Sequence, residues 1–88
     1  MVQREVADEG EAGVAPPAEP MASFDEFYAA NFQRLTLQLY AYTGDVGQAQ
    51  DAVQEAFSRA WPRWSRLVEY DNPAAWVRRV ALNVARSR

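Results

Sequence analysis

Neither cysteine nor histidine occurs among the 88 residues, and lysine is missing too, so all nine basic side chains are arginine. The first two absences remove disulfides, thiolate nucleophiles, imidazole bases and the commonest zinc ligands together. Tyrosines, serines and carboxylates remain, but no base or nucleophile pair accompanies them, which argues against an enzyme and against a cofactor. No stretch approaches the ~20 apolar residues that a membrane span needs, and the N-terminus lacks the basic-then-apolar pattern of a signal peptide. The expectation is a soluble, cytoplasmic protein. A chain this short makes at most one domain, buries only about 60% of the surface its unfolded form exposes, and cannot enclose a large cavity.

What charge there is falls unevenly. Residues 1–22 carry Glu5, Asp8, Glu9, Glu11 and Glu19 against Arg4, a balance of −4. Residues 23–55 hold Asp25, Glu26, Asp45, Asp51 and Glu55 against Arg34, again −4. From Ala56 onward seven arginines face only Glu69 and Asp71, a balance of +5 within an overall charge of −3. The acidic total therefore does not exclude a polyanionic partner for the C-terminal part. Arginine suits bidentate phosphate and carboxylate contacts and stacks on bases.

Residues 1–22 are rich in Ala, Glu, Gly and Pro and contain no aromatic residue. Such a segment cannot bury enough to offset its ordering entropy and reads as a disordered acidic tail, either a passive leader or an arm that competes with nucleic acid for the basic end. The expected fold over 23–88 is all-α, a bundle of three to four helices. Ser23 and Glu26 form a capping-box pattern that opens the first helix. Phe24, Phe27, Tyr28, Phe32, Leu35, Leu39 and Tyr42 follow at three- and four-residue spacing, as a core-facing stripe requires. Leu37 and Tyr40 fall on the opposite side, either as a partner surface or as ordinary exposed apolar residues. Gly44 suits a left-handed C′ position and Asp45 the next N-cap.

The second helix, starting near Val46 or Gln48, places Ala49, Ala52, Val53, Ala56, Phe57, Ala60 and Trp64 on one side. Asp51, Gln54, Glu55 and Ser58 occupy the other. Pro62 predicts a kink or an end. Leu67 and Val68 are expected to pin the connector 65–72 to the core. Asn72 then reads as an N-cap with Pro73 at the first helical position. The last helix sorts Trp76, Val77, Val80, Ala81 and Val84 onto one arc. Arg78, Arg79, Asn83 and Arg86 lie on the other with Ala75 and Leu82, either as a solvated face or as a nucleic-acid surface.

Thr43-Gly44-Asp45, the run Ala49-Gln50-Asp51-Ala52-Val53-Gln54-Glu55-Ala56-Phe57, Arg59-Ala60-Trp61, Ala75-Trp76 and Arg79-Val80-Ala81-Leu82-Asn83 together resemble region two of bacterial RNA polymerase sigma factors. The similarity is greatest to the extracytoplasmic-function group in its actinobacterial form. It covers about residues 23–88, and the D-x-x-Q-E-x-F run followed by W-x-x-x-x-A-x-N carries most of its weight.

The resemblance implies a non-enzymatic transcription-initiation domain with two partners. Asp51, Gln54 and Glu55 would dock on a coiled coil of the largest subunit of core RNA polymerase, with Phe57, Ser58 and Trp61 beside them. Arg63, Trp64, Arg66, Tyr70 and Asn72 would meet the melted non-template strand of the minus-ten promoter element, and Arg78, Arg79, Asn83 and Arg86 its phosphates or bases. Opening a base pair costs a few kcal/mol, and each captured base returns ~1–3 kcal/mol, so one or two captures trap an opened strand without catalysis. Three departures stand out. Leu82 occupies a position that is basic in many relatives, Pro62 interrupts the helix between the two faces, and the family's minus-thirty-five-reading domain is absent from this sequence. An anti-sigma factor is a further partner implied by the family. The competing reading is a helical interaction module, such as an anti-sigma-binding decoy, which would use Leu37, Tyr40 and Leu82 and would not touch DNA.

Overall fold

A computed structural model describes residues 18–88 of the protein, with side chains from Ser23 onward. Their order is α1 (Ala18–Thr43), α2 (Val46–Ala60), a 3₁₀ turn (Trp61–Arg63), the single-turn α3 (Trp64–Leu67) and α4 (Pro73–Arg86). The described part is all-α, as expected. Residues 1–17, the greater part of the expected tail, lie outside the described residues.

The first helix starts earlier than the capping-box pattern predicts, at Ala18 rather than Ser23. Ala and Glu are strong helix formers, and Pro20 falls in the first turn, where backbone N–H groups have no intrahelical acceptor to lose. Ser23 is consequently a helix-interior residue and caps nothing. At the far end, Gly44 adopts φ 72°, the left-handed conformation that glycine accepts without a Cβ clash. Its N–H donates to the Tyr40 carbonyl at 2.8 Å. The Thr43 hydroxyl accepts from the Asp45 N–H at 3.1 Å and donates to the Asp45 carbonyl at 3.0 Å, which sets Asp45 in extended geometry. Asp45 Oδ1 then accepts from the Gln48 N–H at 2.9 Å and caps α2.

This hairpin lays α2 antiparallel to α1, so that Phe24 near the start of α1 meets Phe57, Trp61 and Trp64. Helix α2 is the central element and packs against both α1 and α4. Its buried side, Ala49, Ala52, Val53, Ala56, Phe57 and Ala60, matches the predicted stripe. Four of those six are alanines, which let neighbouring helix axes approach closely. Phe57 fills the remaining space against α1, with ring centroids 4.7 Å from Tyr28 and 5.6 Å from Phe27. From α4, Val77, Ala81 and Val84 close the core, with Trp76 and Val80 half-buried at its margin.

Three core expectations need correction. Tyr42 is exposed rather than part of the stripe, because it lies at the hairpin end, where the first buried residue of α2 is Ala49. Val68 is exposed and only Leu67 pins the connector. Leu82, placed on the open arc by the helical wheel, is half-buried against the core, which takes it out of the exposed apolar surface that the competing reading invokes. As Pro62 predicts, α2 ends just before it, at Ala60. The proline sits inside the 3₁₀ turn, and the buried sequence Ala60, Trp64, Leu67 continues through it at helical spacing.

Candidate polymerase-facing and nucleic-acid-facing surfaces

Burying one side of α2 presents the other. Asp51, Gln54 and Ser58 are exposed, and Glu55 is half-exposed. The Ser58 hydroxyl donates back to the Glu55 carbonyl at 2.7 Å, which keeps that side chain on the helix surface. Glu55 Oε2 accepts from Arg59 Nε at 3.1 Å, the i,i+4 pair in its favourable order. Trp61 is 42% exposed, its ring leaning on Phe24 at 5.1 Å. Asp51, Gln54, Glu55, Ser58 and Trp61 therefore all reach the surface. Phe57 does not: it is 2% exposed and supports this face from beneath.

The basic face begins where α2 gives way to the 3₁₀ turn. Arg63, Ser65, Arg66 and Tyr70 ring an open hollow with Pro62, Leu67 and Trp76. Two guanidinium groups, a phenol and an indole around one hollow can stack a planar base and neutralise the phosphate attached to it. A second hollow shares Pro62, Arg63 and Trp76 and is completed by Ser58, Arg59 and Val80. Trp64, expected at this surface, is 4% exposed and packs its ring on Phe27 at 4.8 Å and Phe24 at 5.5 Å. It is a core residue because it lies one turn beyond Ala60 on the buried stripe.

Helix α4 is positioned by its N-cap, where Asn72 Oδ1 accepts from the Ala75 N–H at 3.1 Å. That bond uses the carbonyl oxygen of the amide, so the NH₂ group of this exposed side chain remains available as a donor. Arg78, Arg79, Asn83 and Arg86 are exposed along the helix, as predicted. Two of them line separate hollows. Arg78 flanks a polar cleft with Arg34, Gln38 and Asn72, between α1 and α4. Asn83 shares a groove with Glu55, Arg59, Ser87 and Arg88, between α2 and α4.

Sequence reasoning missed Trp76, Arg34, Gln38 and Arg59 as members of these surfaces. A helical wheel assigns Trp76 to the core, against which it is half-buried, but it also lines the two hollows beside the 3₁₀ turn. For Arg34 and Gln38 no local signal exists, since their neighbour Asn72 is far off in sequence. Arg59 stands in the sequence only within the Arg59-Ala60-Trp61 motif, which gives it no surface role of its own.

The Sigma-70 region 2 family model matches residues 27–88. Among curated relatives, the ECF RNA polymerase sigma factor SigL of Mycobacterium tuberculosis is 40% identical over 74 residues, which are 83% of this chain and 40% of that protein. The probable RNA polymerase sigma factor RfaY of Xanthomonas campestris pv. campestris is 41% identical over 46 residues, 52% of this chain and 12% of that protein. The chain thus spans less than half the length of these relatives. No solved structure matches it. Because the matched span, residues 27–88, takes in most of α1 and all of the elements after it, the chain belongs to the sigma-70 region 2 family.

Proposed function

We propose that this chain binds core RNA polymerase and helps to recognise and open the minus-ten promoter element, with no catalytic step of its own. The observation that carries the reading is the division of the surface at the 3₁₀ turn. Before it, α2 shows a partner Asp51, Gln54 and Glu55; from its last residue onward, Arg63, Arg66 and Tyr70 surround a hollow walled by Trp76. An acidic-amide face suits the basic groups of a polymerase coiled coil, to which Ser58 and Trp61 add a polar and an apolar contact. The hollow suits an unstacked base of the non-template strand, and Arg78, Arg79, Asn83 and Arg86, with the free amide of Asn72, suit its backbone. Phosphate contacts give affinity and salt dependence, while a base held in the hollow gives selectivity.

The test separates the two faces. Gln54→Ala combined with Glu55→Arg is expected to abolish co-purification with core polymerase while leaving the helical circular-dichroism signal intact. Tyr70→Ala with Asn83→Ala is expected to weaken binding to single-stranded non-template DNA at least tenfold, since each lost base contact is worth about 1–3 kcal/mol, without affecting polymerase binding. Retention of polymerase binding by the first variant overturns the assignment of the α2 face.

A second reading rests on Leu37 and Tyr40, 67% and 47% exposed on the outer side of α1. They fit a protein contact, such as an anti-sigma factor, and an apolar interface there would be insensitive to salt where strand binding is not.

A further inference from the structure

Arg34 and Gln38 have no part in either face described above. They stand one turn apart on α1 and line a cleft with Asn72, Ala74, Ala75 and Arg78, so two guanidinium groups from separate helices meet at one opening. The amide oxygens beside them are already engaged. Asn31 Oδ1 accepts from Arg34 Nη2, and Asn31 Nδ2 in turn donates to the Phe27 carbonyl at 2.9 Å, which steadies the guanidinium and uses one of its five N–H donors. Asn72 Oδ1 accepts from the Ala75 N–H at 3.1 Å, which leaves the amide NH₂ as a donor. No carboxylate lines the cleft; Asp71 is exposed next to Asn72 but is not part of the lining. Ala74 and Ala75 are small enough for a ligand to approach the first turn of α4, where the Ala74 N–H has no intrahelical acceptor. The cleft thus offers positive charge and donors. Its volume is about 230 Å³, below the ~300–1,000 Å³ of pockets that enclose whole organic ligands, so it suits an oxyanion whose remainder stays outside.

We propose that the cleft between α1 and α4 is a phosphate-binding site, in which Arg34 and Arg78 grip one phosphate group while the amides of Gln38 and Asn72 donate to its oxygens. Guanidinium forks match phosphate oxygens in pairs, and such charge-assisted bonds are about twice as strong as neutral ones. The phosphate can belong to a nucleic-acid strand or to a free phosphorylated small molecule, and the chemistry of recognition is the same. The consequences differ. A strand phosphate held here adds α1 to the surface that holds the strand, whereas a free ligand competes with a strand for Asn72 and Arg78. Two or three charge-assisted bonds at an open site set the dissociation constant for a single phosphate on the order of 1–10 mM.

The experiment records amide nuclear magnetic resonance spectra of the 88-residue chain while inorganic phosphate replaces chloride at constant ionic strength. The backbone signals of Ala74 and Ala75 and the Arg34 Nε–H signal are expected to shift and to saturate together. Arg34 is exposed, so Arg34→Gln leaves the fold intact and should weaken phosphate binding about tenfold. Arg88→Gln makes the same change of charge beyond the far end of α4 and should leave phosphate binding as it is. A second arm measures anisotropy of a fluorescent single-stranded oligodeoxynucleotide of mixed sequence, because phosphate contacts do not depend on base identity. If Arg34→Gln weakens that binding and flattens its salt slope by about one phosphate contact, the phosphate is the strand's. If it abolishes phosphate binding and leaves oligonucleotide affinity unchanged, the site takes a free phosphorylated ligand. Signals at Ala74, Ala75 and Arg34 that do not saturate with phosphate would overturn the proposal. Equal losses from Arg34→Gln and Arg88→Gln would do the same, since the effect would then be bulk charge alone. Should the oligonucleotide fail to bind at all, the strand reading of the preceding subsection falls, while the phosphate titration still decides the cleft.

Discussion

Phe57 offers the sharpest test of whether a side chain in the family motif serves the core or the partner. It lies in the D-x-x-Q-E-x-F run but is 2% exposed, with ring centroids 4.7 Å from Tyr28, 5.6 Å from Phe27, 6.2 Å from Phe24 and 6.4 Å from Phe32. Phe57→Leu keeps most of the apolar volume and loses the ring contacts. A volume-conserving swap costs up to about 1.5 kcal/mol and an aromatic pair adds ~0.5–1.5 kcal/mol, with the four pairs far from additive, so about 2 kcal/mol is expected. Phe57→Ala should cost about 3–5 kcal/mol. At ~0.05–0.15 kcal/mol per residue, a described region of this length has roughly 4–10 kcal/mol of stability, so the leucine variant stays folded and the alanine variant barely does. Urea titration followed by far-ultraviolet circular dichroism reads this out. With a slope of about 1 kcal/mol/M, the leucine midpoint falls by about 2 M at unchanged slope. Polymerase co-purification should be unimpaired under conditions where the leucine variant is folded. Wild-type stability combined with lost polymerase binding would refute the reasoning, because it would make the ring a contact and not a support.

Thr36 is 7% exposed and its hydroxyl has no hydrogen-bond partner among the described residues, so Thr36→Val, which keeps the shape and the β-branching, should raise stability by about 1 kcal/mol. A thermal midpoint higher by roughly 4–8 °C is the expected reading, and a lower one would show that the hydroxyl is satisfied in solution. Asn72→Ala removes the acceptor that caps α4 and should cost about 1 kcal/mol in a thermal melt. Asn72→Asp keeps the cap and should melt like wild type, yet bind single-stranded DNA more weakly because it sets a carboxylate against the phosphates.

The helices themselves were legible because each has a strong local period and a strong stop. Asp45 and Asn72 cap where their sequence positions say they should, and Gly44 takes the backbone conformation that ends α1. Misreadings arose where a local rule met a longer-range condition. Ser23 has the pattern of a cap, but the residues before it also favour helix, so the chain coils through it. Tyr42 keeps the stripe's period but runs past the point where α2 can cover it. For the candidate site, the faces of α2 and α4 could be drawn on a wheel, whereas the hollows could not. Arg34 comes to line one cleft with Asn72 and Arg78, and Arg59 one groove with Asn83, only through packing of helices distant in sequence. Trp64 shows the converse: an aromatic next to a basic segment suggests a stacking platform, yet its spacing from Ala60 and Leu67 already placed it on the buried stripe.

That spacing also explains how two unlike surfaces coexist on so small a body. The buried positions 60, 64 and 67 keep helical intervals through Pro62, so the 3₁₀ turn changes the backbone hydrogen bonding without releasing the segment from the core. Between those anchors the exposed positions are Trp61, Pro62 and Arg63, then Ser65 and Arg66. Anchoring on both sides confines Arg63 and Arg66 to the side of the turn that meets Trp76 of α4, and their charges converge on one hollow. A flexible loop would have to lose that freedom on capturing a strand, at about 1–2 kcal/mol for each backbone residue ordered. Here most of that ordering belongs to folding, and the same aromatic cluster of Phe24, Phe27, Trp61 and Trp64 that stabilises the bundle holds the turn in place. The proline that looks like a break between the proposed polymerase-facing and nucleic-acid-facing halves is thus a joint anchored in the core on both sides, by Ala60 before it and Trp64 after it.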